Sequence, residues 1–228
     1  MATGEAQNRS MLKCSTSLWS ADLADLAAEI RRVGPYSERF HLDVADGHYS
    51  STLLFFPDLV KAIRPHTRLE FEVHLMTTDP GAWIAPFAEA GADSLIFCWN
   101  SAADPGAIVE AVVAGGMKVG VSLEIREDID LLAPLWERLQ VVTLMATEIG
   151  IKGAEMDPSI PAKVQRLFQL RTDRQLAFDI EVDGGIRRHT VPQVAAAGAD
   201  YIVPGSLMFN EDPAAMRRWL VSLDRPRP

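Results

Sequence analysis

The 228-residue chain is poor in the residue types that mark several function classes. Only Cys14 and Cys98 are present, with no CxxC pairing, so neither a disulfide framework nor a thiolate metal site is expected, and both thiols fall in strand-like runs and are read as reduced. Lys and Arg number 22 against 31 Asp and Glu, giving a formal net charge of −9. Without a clustered basic stripe this disfavours a phosphate-backbone partner, and the closing RPRP is too short to count, so no nucleic-acid partner is expected. No apolar run approaches the roughly 18 residues of a membrane span, so no membrane partner is expected either. The opening MATGEAQNRS lacks the apolar centre of a secretory signal; residues 1–10 are read as a loose arm and the cytoplasm as the location. No linker, low-complexity block or composition shift divides the rest, and residues 11–228 are expected to form a single domain.

What is present is alternation. Short β-rich runs at Leu12–Leu18, Phe40–Val44, Leu69–Leu75, Ser94–Cys98, Lys118–Leu123, Val141–Met145, Leu176–Val182 and Tyr201–Val203 are separated by helical patterns such as Ala21–Val33, Ala82–Ala90, Pro105–Ala114 and Pro161–Leu170. Gly91-Ala92-Asp93, Gly198-Ala199-Asp200 and Gly115-Gly116 have the form of helix-to-strand turns with glycine in the left-handed region. Eight uninterrupted βα pairs favour a closed (β/α)8 TIM barrel over an open doubly wound sheet. In such a barrel the polar residues at the C-terminal ends of strands face the active site.

Four metal-ligating side chains fall at those ends: His41 and Asp43 on strand two, His74 on strand three, and Asp183 closing strand seven. His41 and Asp43 are two apart, so both leave the same face of the strand. Two imidazoles and two carboxylates suit one divalent Zn²⁺, Fe²⁺ or Mn²⁺, with zinc the first expectation, rather than Mg²⁺ or Ca²⁺. Asp46-Gly47-His48 reads as a βα turn with His48 structural, and His66 and His189 read as loop or surface residues. Gly184-Gly185 after strand seven and Gly205-Ser206 after strand eight have the form of phosphate-binding turns, the first backed by the start of the helix that follows it.

The segments SLWSADLADL (17–26), HLDVADGH (41–48), EVHLM (72–76), IEVDGGI (180–186) and PGSLMF (204–209) together resemble the ribulose-phosphate 3-epimerases, over nearly everything from Cys14 to Asn210. The resemblance implies an isomerase that inverts C3 of a pentulose or hexulose phosphate through a metal-stabilised enediolate. His41, Asp43, His74 and Asp183 then look like the metal ligands, with Asp43 and Asp183 doubling as acid and base. Ser17, His74, Met76, Met145, Gly150, Gly153, Gly184, Gly185, Gly205 and Ser206 look like substrate-binding residues. The partner implied is a small ketose phosphate, and a homo-oligomer is expected.

The departures from the family pattern cluster where substrate would lie. Ala45 replaces a usual Met, Ser50-Ser51-Thr52 replaces VPN, Cys98 replaces a His and Asn100 an acidic residue. The loop Glu148–Ala154 replaces NPGFGGQ and places Lys152 where a glycine is usual, an exchange that motivates either a phosphate or carboxylate contact or an exposed loop lysine. Two alternatives follow: an inactive phosphosugar-binding barrel, or a phosphate-binding-barrel lyase. HLMTTDP lacks the lysine of the DxKxxD pattern seen in decarboxylases of the second kind.

Overall fold

Apolar strand runs without a polar face need cover on both sides, and a parallel sheet closed on itself beneath a ring of helices supplies it. The computed structural model describes residues 11–223 and has this architecture. Strands β1 Lys13–Ser17, β2 Arg39–Ala45, β3 Glu70–Met76, β4 Ser94–Cys98, β5 Lys118–Leu123, β6 Val141–Met145, β7 Asp179–Asp183 and β8 Tyr201–Val203 pair in chain order, all parallel. β8 closes onto β1 through Lys13↔Tyr201 and Cys14↔Ile202. The proposed arm at residues 1–10 lies outside the described residues. Among the described residues no helix is long and apolar enough to cross a membrane.

The helices are α1 Leu26–Val33, α2 Pro57–Ile63, α3 Ile84–Ala90, α4 Pro105–Ala114, α5 Ile160–Asp173, α6 Val191–Ala197, α7 Ser206–Phe209 and α8 Pro213–Val221. Several expected boundaries shift, and one connection differs in kind. α1 starts at Leu26 rather than Ala21, because the Asp25 carboxylate accepts the Ala28 N–H and caps the helix there. β7 starts at Asp179, leaving Leu176–Phe178 outside the strand and taking Asp183 in. Between β5 and β6 the expected helical return is a 3-10 turn at Ile129–Leu132, and the cover there comes from buried Ile129, Leu132, Leu135 and Trp136. Trp136 stacks on Phe178 with ring centroids 5.5 Å apart.

Alternation along the strands divides the interior into two environments. Phe40, Leu42 and Val44 on β2, and Phe71, Val73 and Leu75 on β3, join the apolar layer under the helices. Arg39, His41 and Asp43, with Glu72 and His74, face the barrel axis. The register sets Asp43 opposite His74 and His41 opposite Glu72.

Gly91 and Gly198 close α3 and α6 in the left-handed region, and of the Gly115-Gly116 pair it is Gly116 that takes it. Gly198 has φ 109°, and a Cβ there would run into the Phe168 ring of α5. Gly198→Ala therefore meets both a backbone penalty and a packing clash, about 2 kcal/mol or more together. The expected fall in thermal midpoint is roughly 4–8 °C for a chain of this size. A midpoint equal to that of the parent protein would show that neither constraint operates.

Candidate active site

β2, β3 and β7 bring His41, Asp43, His74 and Asp183 together, with one ligating atom from each within 4.8 Å of every other. His41 Nε2 lies 3.5 Å from Asp43 Oδ1 and 3.7 Å from Asp183 Oδ2, and His74 Nδ1 lies 3.7 Å from Asp183 Oδ2. A tetrahedral ion with bonds near 2.1 Å sets its donors about 3.4 Å apart, so these three spacings need only a small contraction, and the remaining pairs start from within 4.8 Å. His41 Nε2 and His74 Nδ1 are buried and have no hydrogen-bond partner, which is the condition of nitrogens held ready for a cation.

The other nitrogen of each ring explains this readiness. His41 Nδ1 stands 3.0 Å from Glu72 Oε1, and since a carboxylate only accepts, Nδ1 carries the hydrogen and Nε2 the lone pair. His74 Nε2 is 2.9 Å from Ser122 Oγ, whose own hydrogen has the Phe97 carbonyl as acceptor at 3.4 Å. With that hydrogen turned to the carbonyl, or to Cys98 Sγ at 3.4 Å, Nε2 is the donor and Nδ1 keeps its lone pair. The residues present fit a divalent metal.

Electrostatics follow from burial. Burial pushes Asp183 up to about 8, and the charges of Asp43 and Glu181 add to it against the pull of His41. Burial works against both charged partners of the His41–Asp43 pair, yet their attraction outweighs it: His41 is held well above its usual range and Asp43 below its own. Burial and the His41 charge lower His74 to about 4. Without a cation, a second proton on His41, carried on the Nε2 that a metal would otherwise take, and one on Asp183 neutralise the cluster.

Above the cluster opens a cavity of about 230 Å³. Ser17, Met76, Met145, Gly150, Gly153, Gly184, Gly185, Gly205 and Ser206 all line it together with Asp43 and Asp183, whereas His74 is fully buried and is not part of the lining. Ser17 Oγ donates to Asp43 Oδ2 at 2.6 Å, a contact that sequence pattern does not reveal. Gly184 and Gly185 have φ 98° and 61°, and Cβ atoms there would strike Thr147 and the Met156 backbone. Their lack of side chains therefore lets the loops after β6 and β7 pack together. The helix start expected just after Gly185 lies at Val191, because Arg187–Thr190 forms an intervening turn; after β8, Gly205 does lead directly into α7.

The divergent loop is fastened on two sides. Thr52 Oγ1 donates to Gly150 O at 3.0 Å, and Lys152 Nζ donates to Trp19 O at 2.9 Å while lining the cavity wall. Ala45 and Cys98 pack with Met76 against Tyr49, Leu54 and Ile149, so these departures form one patch. Asp46 accepts the N–H groups of His48, Tyr49 and Thr78, which outweigh its burial and hold it at about 2; His48 belongs to that turn, and His189 is exposed. Trp19, Ser20, Thr147 and Arg187 also line the cavity, and nothing in the sequence pattern marks them as site residues.

Residues 13–209 match the family described as the ribulose-phosphate 3 epimerase family. The ribulose-phosphate 3-epimerase of Treponema pallidum is 36% identical over 195 residues, which cover 85% of this chain and 89% of the relative. That of Bacillus subtilis is 32% identical over 203 residues, or 88% and 94% of the two chains. Among solved structures, 3-keto-L-gulonate-6-phosphate decarboxylase from Vibrio cholerae superposes with a TM-score of 0.68 at 16% identity, covering 95% of this chain and all 100% of the other. 3-Hexulose-6-phosphate synthase gives 0.63 at 19%, covering 93% and 100%. At these identities the structural likeness is one of fold.

The metal-free protein has a definite pH response. Asp183 and His41 both hold protons more tightly folded than unfolded, so their stabilising contribution is complete below 3.8 and 6.5 respectively and is lost as pH rises through the folded values, about 8 for Asp183. The thermal midpoint of metal-stripped protein should fall as pH rises through about 8, and Zn²⁺ should raise it most at the alkaline end. A metal-induced rise that is larger in acid than in alkali would contradict this charge assignment.

Proposed function

Because the chain belongs to the ribulose-phosphate 3-epimerase family, and is an isomerase acting on carbohydrate phosphates, we propose that it inverts C3 of a ketose phosphate with Asp43 and Asp183 as the two proton-transfer groups. A divalent metal held by His41, Asp43, His74 and Asp183 belongs to the same reading. The observation that carries it is the pair of buried, unpartnered imidazole nitrogens facing two carboxylates on the floor of the cavity.

Epimerisation removes a hydrogen beside the C2 ketone and returns one to the opposite face. When bound, the metal supplies Lewis-acid stabilisation of the negative charge that develops on the substrate oxygens, an effect worth several kcal/mol. The protein must then present one proton carrier to each face, since a single fixed carboxylate tends to return the proton where it came from. Asp43 on β2 and Asp183 on β7 stand on separate strands of the closed sheet and both reach the cavity. The Ser17 hydroxyl, donating to Asp43 Oδ2, fixes the plane of that carboxylate. Met76 and Met145 line the wall with thioethers, which exclude water without offering strong competing hydrogen bonds. The turns Gly184-Gly185 and Gly205-Ser206 hold the phosphate, so that binding energy far from C3 positions the reacting carbon.

Asp43→Asn and Asp183→Asn should each lower turnover by at least the ~10²-fold typical of a lost general acid or base, and should suppress deuterium exchange at C3 of ribulose 5-phosphate or a hexulose 6-phosphate in heavy water. Wild-type protein that binds the ketose phosphate yet exchanges no proton at C3 would favour the binding-module alternative. Lys152 supplies one hydrogen bond to Trp19 and has two further N–H donors at the cavity wall. Lys152→Ala should raise KM for the phosphorylated substrate with little change in kcat. An unchanged KM would confine this lysine to fastening the loop.

A further inference from the structure

A second polar layer lies on the barrel axis beneath the proposed metal site, and the reaction does not use it. At its centre is Arg39, on β2 two residues before His41 and 5% exposed. A guanidinium so deeply placed requires ionic partners. Its Nη2 donates to Glu181 Oε2 at 2.6 Å and lies 2.8 Å from Glu72 Oε2, and its Nε donates to Ser15 Oγ at 3.1 Å. The guanidinium carbon sits 3.8 Å from the centre of the Tyr201 ring. Glu72 and Glu181 are both fully buried. Glu181 also accepts from Thr143 Oγ1 at 3.0 Å.

Glu72 connects the two layers. One of its oxygens, Oε2, faces the guanidinium; the other, Oε1, accepts from Ser15 Oγ at 2.8 Å and from His41 Nδ1 at 3.0 Å. We infer that Arg39 is a positioning residue for the metal: by bracing Glu72 against Glu181 it fixes the His41 ring in the tautomer and orientation that aim Nε2 at Asp43 and Asp183. The inference rests on reading the His41–Asp43–His74–Asp183 cluster as a metal site. If Arg39 is removed, two carboxylates share a dry space with no cation between them and repel each other, and Glu72 no longer offers His41 a fixed acceptor. If Glu72 is neutralised to glutamine, His41 Nδ1 faces a neutral amide in place of the charged acceptor and the guanidinium no longer has a carboxylate to brace, so the two residues act through one link.

The test is Zn²⁺ affinity, measured by competition with a chromogenic chelator on metal-stripped wild type, Arg39→Met, Arg39→Lys, Glu72→Gln and the Arg39→Met/Glu72→Gln double variant. Thermal midpoints of the metal-free proteins are taken alongside. Arg39→Met and Glu72→Gln should each weaken Zn²⁺ binding by about 10–100-fold, the usual consequence of losing a group that orients a metal-bound histidine. The double variant should bind no worse than the weaker single variant, because the losses share one route. Arg39→Lys, which keeps the charge without the planar fork, should fall between wild type and Arg39→Met. A purely structural brace would lower the midpoints and leave the affinities unchanged, and that result overturns the inference. If Arg39→Met does not fold, wild-type affinity in both Arg39→Lys and Glu72→Gln overturns it equally. Wild type that takes up no Zn²⁺ defeats the metal reading itself, whereas wild type that binds while Arg39→Met binds as well defeats only the role of Arg39.

Discussion

Electrostatic crowding on the barrel axis governs this molecule. Asp43, Glu72, Glu181 and Asp183 are gathered inside a closed sheet, with His41 and His74 between them. Charges that close in a low-dielectric space persist only when each is paired, hydrogen-bonded or neutralised. In the lower layer the Arg39 guanidinium answers two of the carboxylates. In the upper layer no side-chain cation of that kind is present among the described residues, and the deficit there is met by protons or by a bound metal. The hydrogen bond from His41 Nδ1 to Glu72 joins the layers, so the charge balance of the lower one reaches the orientation of a ligand in the upper one.

The same division separates chemistry from substrate choice. The proposed acid, base and ligands sit on β2, β3 and β7, where seven and five residue pairs fix the register of β2–β3 and β6–β7. Of the residues that differ from the family pattern, Ala45 closes β2 and Cys98 closes β4 with its Sγ 3.7 Å from His74 Nε2, while the others lie beyond the strands. Ala45 and Cys98 form one small apolar patch with Tyr49, Leu54 and Ile149, and the loop from Glu148 to Ala154 is fastened by Thr52 and Lys152. Loops on a rigid scaffold can change without disturbing strand-borne groups, which is how one barrel chemistry serves different sugars.

Much of this was legible in the sequence for physical reasons. Strand-buried runs between amphipathic stretches gave the barrel, and His41 and Asp43, two residues apart, had to share a face. The cavity residues followed from their positions at strand ends and from the family resemblance. The lower polar layer was not anticipated, although RFHLDVA and EFEVHLM carry its signal: the polar residues Arg39, His41 and Asp43, and Glu70, Glu72 and His74, recur at every second position, as an inward-facing polar stripe requires. The β5–β6 connection, counted only as one of eight βα pairs, is a 3-10 turn that buries Ile129 and Leu132 as a helix would. The contact of Lys152 with Trp19 spans 133 positions, and local pattern carries no information about it.

The charge balance of the upper layer depends on what its four residues hold. Anomalous diffraction from crystals of Zn²⁺-loaded protein tests this most directly. The account predicts a single strong peak within bonding distance of His41 Nε2, His74 Nδ1 and a carboxylate oxygen from each of Asp43 and Asp183, with His41 Nδ1 still on Glu72. Absence of a peak there, or ligation through His74 Nε2 after a ring flip away from Ser122, would contradict it.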